Sequence, residues 1–231
     1  PLEPVGREPA RSSEPSRSCL PARDAPQHLW FCIWLPQLPL EAVGSAEQTD
    51  TPLAVVEEHH GIHRILMADA VAREAGVMPG QAANAALALL PTLRLEERSP
   101  PREQQALERL AAWLEQFSSF VSMAGPDVLL LEIAGSLRLF GGLQALRQAL
   151  SRGLRNMGFA AALAIAPTPL AATWLARASR RVCIRDTTNL GPALRRLPLA
   201  CLDWPASQCE ALAGMGVTTV GDCLRLPREG F

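Results

Sequence analysis

The chain has 231 residues, 48% of them hydrophobic and 19% charged, with a formal net charge of −1. That length and apolar share suit one large or two small globular domains and argue against disorder for the bulk of the chain. The near-zero charge argues against a strongly basic protein that coats nucleic acid, although it leaves room for a local basic stripe. All 22 basic residues are arginine, so lysine chemistry such as a Schiff base or a P-loop lysine is absent.

The six cysteines, Cys19, Cys32, Cys183, Cys201, Cys209 and Cys223, form no CxxC pair. They read as reduced thiols in a cytoplasmic protein. No apolar run approaches the ~18–20 residues of a membrane span. Residues 1–27, rich in Pro, Arg, Ser and Glu, read as a disordered tail without a signal-peptide core. The chain opens on Pro1 and stops at "LPREGF", and it is expected to be a fragment of something longer.

"HLWFCIWL" (28–35) is a short apolar run with aromatics, expected to be a buried central strand that ends at Pro36. "LPLEAVG" supplies one helical turn. "PLAVVEE" is a second strand, "HHGIH" a turn, and "RILMA" (64–68) a short third strand. "DAVAREAG" is a short helix with Asp69 as N-cap and Gly76 at its end. "MPGQAANAALALLP" is expected to be an Ala/Leu-rich helix. The clearest amphipathic helix is 101–117, with Leu107, Leu110, Leu114 and Phe117 on one face.

Two strands follow, "SSFVSMA" and "DVLLLEIA", joined through Gly125-Pro126 as a hairpin. A long helix is expected over 143–157, a buried strand over 159–167, and a helix over "TPLAATWLARAS" capped by Thr168 with Pro169 at its first position. "RVCIR" is expected to be a last strand, and the tail from Thr187 to be helical in short pieces. The order β…αββαβ predicts an α+β fold: a ferredoxin-like βαββαβ sheet, mostly antiparallel, with helices on one face. Such a fold serves many functions and decides none.

Six stretches in order carry more information: "WFCIWLPQLPLEAVG", "PLAVVEE", "RILMADAVAREAGVMPGQAANAALALLP", "LLLEIAGSLRLFGG", "LAIAPTPLAATWLARAS" and "LAGMGVTTVGDCLRLP". Together they resemble the Y-family of translesion DNA polymerases, and within it the ImuB-like branch of bacterial mutagenesis cassettes. No single motif is diagnostic; the succession at these spacings is. The resemblance implies a palm (28–41 and 92–186), small fingers (42–91) and the start of a thumb with helix-hairpin-helix character (187–231), with the little finger absent.

Active members of that family hold two metal ions on three carboxylates, because hard cations need oxygen ligands to align the primer terminus and the nucleotide phosphates. Carried onto this chain, the first acid position falls at Trp34. The position against "LPQ" also lacks an acid. The Asp-Glu pair falls on Asp127-Val128. One carboxylate of three remains, and a lone carboxylate holds Mg²⁺ weakly. The resemblance therefore implies a non-catalytic homologue, with no cofactor expected beyond weak Mg²⁺ binding. Asp127 is then either the remnant of a metal site or a turn residue after Gly-Pro, and Glu132 a strand residue facing solvent or an arginine.

The fingers tell a similar story. The family's triphosphate-contacting Tyr falls on Ala70, while its Arg survives as Arg73, a phosphate contact or a solvated charge. "EEHHGIHR" is read as a polar turn rather than a metal site, for want of a histidine pair at helical spacing. In the thumb, "LDWPAS" lacks a hairpin glycine, whereas "GMGVTTVGD" keeps Gly214 and Gly216, whose backbone N–H groups suit a DNA phosphate or a plain helix–helix turn. Arg177, Arg180, Arg181 and Arg185 form a basic cluster that fits a duplex backbone or a solvated face equally.

The function so implied is a DNA-binding scaffold in damage-induced (SOS) translesion synthesis. Its implied partners are primer–template DNA, the replicative sliding clamp, a RecA-like accessory protein and a separate error-prone C-family polymerase. Two other readings stay open: an active error-prone polymerase using Asp127 and Glu132, and a ferredoxin-like interaction domain that does not bind DNA.

Overall fold

The computed structural model describes residues 28–44, 51–178 and 182–226. In chain order the elements are β1 (Trp30–Trp34), α1 (Leu38–Gly44), β2 (Leu53–His59), β3 (Ile62–Ala68), α2 (Ala70–Glu74), α3 (Ala83–Leu89), β4 (Arg94–Glu97), α4 (Pro100–Leu114), β5 (Val121–Gly125), β6 (Val128–Glu132), α5 (Leu143–Asn156), β7 (Ala162–Ala166), α6 (Pro169–Arg177), α7 (Leu190–Arg195), a 3-10 turn at Leu199–Cys201, α8 (Ala206–Gly214) and α9 (Val220–Cys223). Among the described residues no helix is long and apolar enough to cross a membrane.

The larger sheet has the order β5-β6-β1-β7, and every neighbouring pair is antiparallel. This is the βαββαβ topology expected from the sequence, with β1 at the centre. Strands β1, β6 and β7 read as near-continuous apolar runs because both faces are covered, whereas the edge strand β5 is partly exposed. On one face Phe31, Ile33, Leu129, Leu131 and Ile133 pack against Leu107, Leu110 and Leu114 of α4 and Leu146, Leu150 and Leu154 of α5. On the other, Cys32, Val128, Leu130, Ala164 and Ala166 pack against Ala171, Ala172, Leu175 and Ala176 of α6. The expectation of helices on one face only is thus corrected. A strand such as "WFCIW", apolar at every position, needs cover on both sides, and the small residues of α6 let it approach β1 and β7 closely.

Strands β2, β3 and β4 make a separate sheet in the order β3-β2-β4. The β2–β3 hairpin turns on His60 and Gly61, with φ of 51° and 78°, a two-residue turn of the left-handed kind that matches strand twist. The hairpin extends β3 back to Ile62, two residues before the expected start. β4 pairs parallel with β2 and was not anticipated, because "RLEE" is charged and only partly buried. Arg98, just beyond it, forms a two-pronged pair with buried Glu103 of α4 (2.9 and 3.1 Å) and reaches Glu57 of β2 at 3.1 Å.

Two further expectations fail. The Ala/Leu-rich helix starts only at Ala83: Gly80 takes φ of 87°, and the Gln81 side chain accepts from Met78 N and donates to Gly76 O, closing a turn there instead. Of "RVCIR", the described residues 182–185 form no strand; they make a single parallel bridge, Cys183 to Ile165. The helix caps behave as expected, with Asp69 accepting from Ala72 N and Thr168 from Ala171 N.

The C-terminal helices rest on the α6 side of the large sheet through Leu197, Leu199, Leu202, Val217 and Val220. Thr219 and Asp222 form a reciprocal capping box at α9. Backbone bonds from Leu199 N to Thr218 O (3.0 Å) and Val220 N to Leu197 O (2.9 Å) stitch the 3-10 turn to the α8–α9 link.

Candidate functional site

The β5–β6 hairpin turns at Pro126-Asp127, and Val128 is the Cα partner of Trp34 across the β1–β6 pair. Asp127 therefore stands at the open end of β1. Its backbone carbonyl accepts from Leu35 N at 2.9 Å. Its carboxylate accepts from the Trp34 indole, Nε1 to Oδ2, at 2.7 Å. The other oxygen, Oδ1, lies 3.5 Å from the guanidinium of Arg177, the last residue of α6. Arg177 also reaches Asp203 Oδ1 at 2.9 Å. Each oxygen of Asp127 thus faces a donor.

The electrostatics follow from burial. The Arg177 side chain is only 14% exposed. Burial works against its charge, but the hydrogen bond it donates to Asp203 and the nearby Asp127 carboxylate outweigh that, holding the guanidinium above its ordinary value. Cys32 lies two residues before Trp34 on the same sheet face, with its sulfur 3.9 Å from Thr173 Oγ1. Burial pushes the Cys32 thiol up to about 12, only partly offset by Thr173, so it stays neutral at physiological pH. Val128 is buried and apolar. Among the described residues no group of three or more His, Cys, Asp or Glu side chains gathers as metal ligands would.

The remaining residues singled out in the sequence lie apart from this cluster or elsewhere in the fold. Glu132 sits at the other end of β6, five residues from Asp127 and roughly 16 Å along an extended strand. Its Oε1 accepts from Leu29 N (3.1 Å) and Ala134 N (3.2 Å) and lies 3.9 Å from His28 Nδ1, and the side chain is 21% exposed. Glu41 of α1 accepts from Ala160 N at 2.6 Å. Arg73 is exposed on α2, its Nε donating to Asp69 O at 3.2 Å. Gly214 ends α8, and Gly216, with φ of 80°, turns the chain toward α9. His59 and His60 stack edge-on at the β2–β3 turn. Arg180 and Arg181 lie outside the described residues. Arg177, read as part of a solvated or duplex-facing basic cluster, is instead a partly buried ion-pair centre. The sequence signal for this was its place three residues after Trp174 on the helix face that Cys32 meets through Thr173.

The architecture defines a class. DinB from Sulfolobus solfataricus superposes with a TM-score of 0.66 at 17% identity, covering 87% of this chain and 61% of that one. Dbh DNA polymerase in an insertion ternary complex gives 0.67 at 16% identity, covering 87% and 62%. The fold is that of the Y-family polymerase catalytic core.

The impB/mucB/samB family model matches residues 40–177, and the chain belongs to that family. Protein ImuB from Caulobacter vibrioides (strain NA1000 / CB15N) is 37% identical over 153 residues, which is 66% of this chain and 33% of that protein. ImuB from strain ATCC 19089 / CIP 103742 / CB 15 matches to the same extent. The chain spans about a third of the length of these relatives.

Proposed function

We propose that this chain is a non-catalytic member of its family, a DNA-binding scaffold for damage-induced translesion synthesis and mutagenesis in the cytoplasm. The observation that carries this reading is the state of Asp127. Phosphoryl transfer in this fold relies on metals to position the phosphates and neutralise their charge. The family's carboxylate positions here hold Trp34, Asp127 and Val128, and the remaining carboxylate is bound by an indole N–H and a guanidinium. A divalent ion would have to displace both donors and then find its other ligands in water.

On this reading the large sheet with α4–α6 is the palm (28–41 and 92–186), the β2–β3 hairpin with α2 and α3 the fingers (42–91), with β4 of the palm segment paired to β2, and the C-terminal helices the start of a thumb (187–231). Arg73 and the backbone N–H groups around Gly214 and Gly216 would meet phosphates of primer–template DNA, with Arg180 and Arg181 adding charge. The sliding clamp, a RecA-like accessory protein and a C-family polymerase are the proposed partners. Support for this assembly is the similarity to ImuB.

The test is primer extension by the full-length protein with Mg²⁺ and separately Mn²⁺, beside Asp127→Ala. The expected result is no extension in any lane, with primer–template binding retained. Extension that disappears in Asp127→Ala would overturn the non-catalytic reading. Loss of all primer–template binding would overturn the DNA scaffold.

A further inference from the structure

We infer that Arg177 is a positioning residue: it holds the C-terminal helical segment against the large sheet, using Asp127 at the β5–β6 turn as its anchor. The inference rests on contacts within the chain and stands whether or not the protein is catalytic.

Arg177 ends α6, between two parts of the molecule that the chain connects only through a linker to α7 at Leu190. On one side its guanidinium meets Asp127 at 3.5 Å, at the β5–β6 hairpin fifty residues earlier in the chain. On the other it meets Asp203 at 2.9 Å, one residue beyond buried Leu202 and just before α8. Asp127 is itself fixed to β1 through the Trp34 indole and the bond from Leu35 N. The path runs from β1 to the hairpin, through one side chain, to the segment that carries α8 and α9.

The rest of the seam is apolar: Leu197, Leu199, Leu202, Val217 and Val220 against the α6 face. Apolar contact is non-directional and tolerates sliding. A guanidinium with fixed fork geometry between two carboxylates does not. Among the described residues Arg177 Nε, which is buried, has no hydrogen-bond partner, so the group accepts a desolvation cost to keep its terminal nitrogens on the two aspartates.

The test is hydrogen–deuterium exchange on the intact protein, comparing wild type with Asp203→Asn, Asp203→Glu and Arg177→Met. Asp203 is 84% exposed in its side chain, so its variants leave the core untouched. Arg177→Met keeps an apolar stem of similar reach. In Asp203→Asn and Arg177→Met, amides of residues 197–226 are expected to exchange about fivefold faster, while those of α4 and α5 stay unchanged. Asp203→Glu restores the wild-type rate. Unchanged exchange over 197–226 in Asp203→Asn would overturn the inference. So would a uniform rise across all elements in Arg177→Met without a local rise in Asp203→Asn, because Arg177 would then support only the sheet core.

Discussion

Glu41 should make the stability of this fold depend on pH near neutrality. It sits on α1, with its carboxyl accepting from Ala160 N at 2.6 Å across the gap to the loop between α5 and β7. Burial pushes it up from an ordinary 4.5 to about 7, against the opposing pull of the Ala160 bond. Because the folded value lies above the unfolded one, the native state holds the proton more tightly. The associated stability is fully present below about pH 4.5 and is lost as pH rises through 7. The whole displacement is worth roughly 3 kcal/mol, and solvent screening at this partly exposed group reduces it to about 1–2 kcal/mol. Glu41→Gln keeps a carbonyl acceptor for Ala160 N and removes the proton linkage. Urea midpoints at pH 5, 6, 7 and 8 should show the variant gaining on wild type as pH rises, with the gap widening by that amount between 5 and 8. Parallel pH curves would refute the argument.

Other consequences follow from single contacts. Trp34→Phe removes the donor to Asp127 while keeping an aromatic ring; with Asp127 30% exposed and open to water, the cost should be about 1 kcal/mol, a fall in Tm of roughly 2–4 °C by calorimetry. An unchanged Tm would mean that water replaces the indole without loss. Gly153 of α5 lies against Trp113 of α4, and a Cβ there would come within 2.2 Å of Trp113 Cζ2. Gly153→Ala should therefore destabilise by about 1–2 kcal/mol despite its better helix propensity, and should become neutral or stabilising in a Trp113→Ala background. Arg98→Met leaves Glu103 buried without its two-pronged partner and should cost about 2–3 kcal/mol in urea unfolding. Adding Glu103→Met should recover most of that loss.

The large sheet was legible because its determinants are local. Apolar runs bounded by Pro and Gly marked β1, β6 and β7, and helical periodicity marked α4 and α5. The cover on the second face was not legible, because α6 buries alanines and nothing in "PLAATWLAR" states which strand it meets. β4 was missed for the opposite reason: a charged edge strand draws its pairing from β2, forty residues away, rather than from its own composition. The resemblance implies acid positions at or beside Trp34 and at Asp127 and Val128. The contacts among Trp34, Asp127, Arg177 and Asp203 span 93, 50 and 26 residues of separation, and no pattern in the sequence carries such contacts.

Those contacts also bear on why an aspartate stands alone where a set of acids is expected. A carboxylate left without its metal beside a covered sheet face would face a desolvation cost with no partner to offset it. Here Trp34 supplies a donor to one oxygen and Arg177 supplies charge to the other, so Asp127 is compensated without an ion. Replacing Trp34 by an acid would remove the indole donor and bring a third carboxylate to a guanidinium already shared by Asp127 and Asp203, so the added negative charge would be only partly neutralised. A single Trp34→Asp change is therefore expected to destabilise the apo protein, by about 1–3 kcal/mol, before it could help to bind a metal. Mn²⁺ titration of that variant by calorimetry, run alongside thermal unfolding, separates the two effects. A variant more stable than wild type without metal would refute the claim that Trp34 and Arg177 together satisfy Asp127.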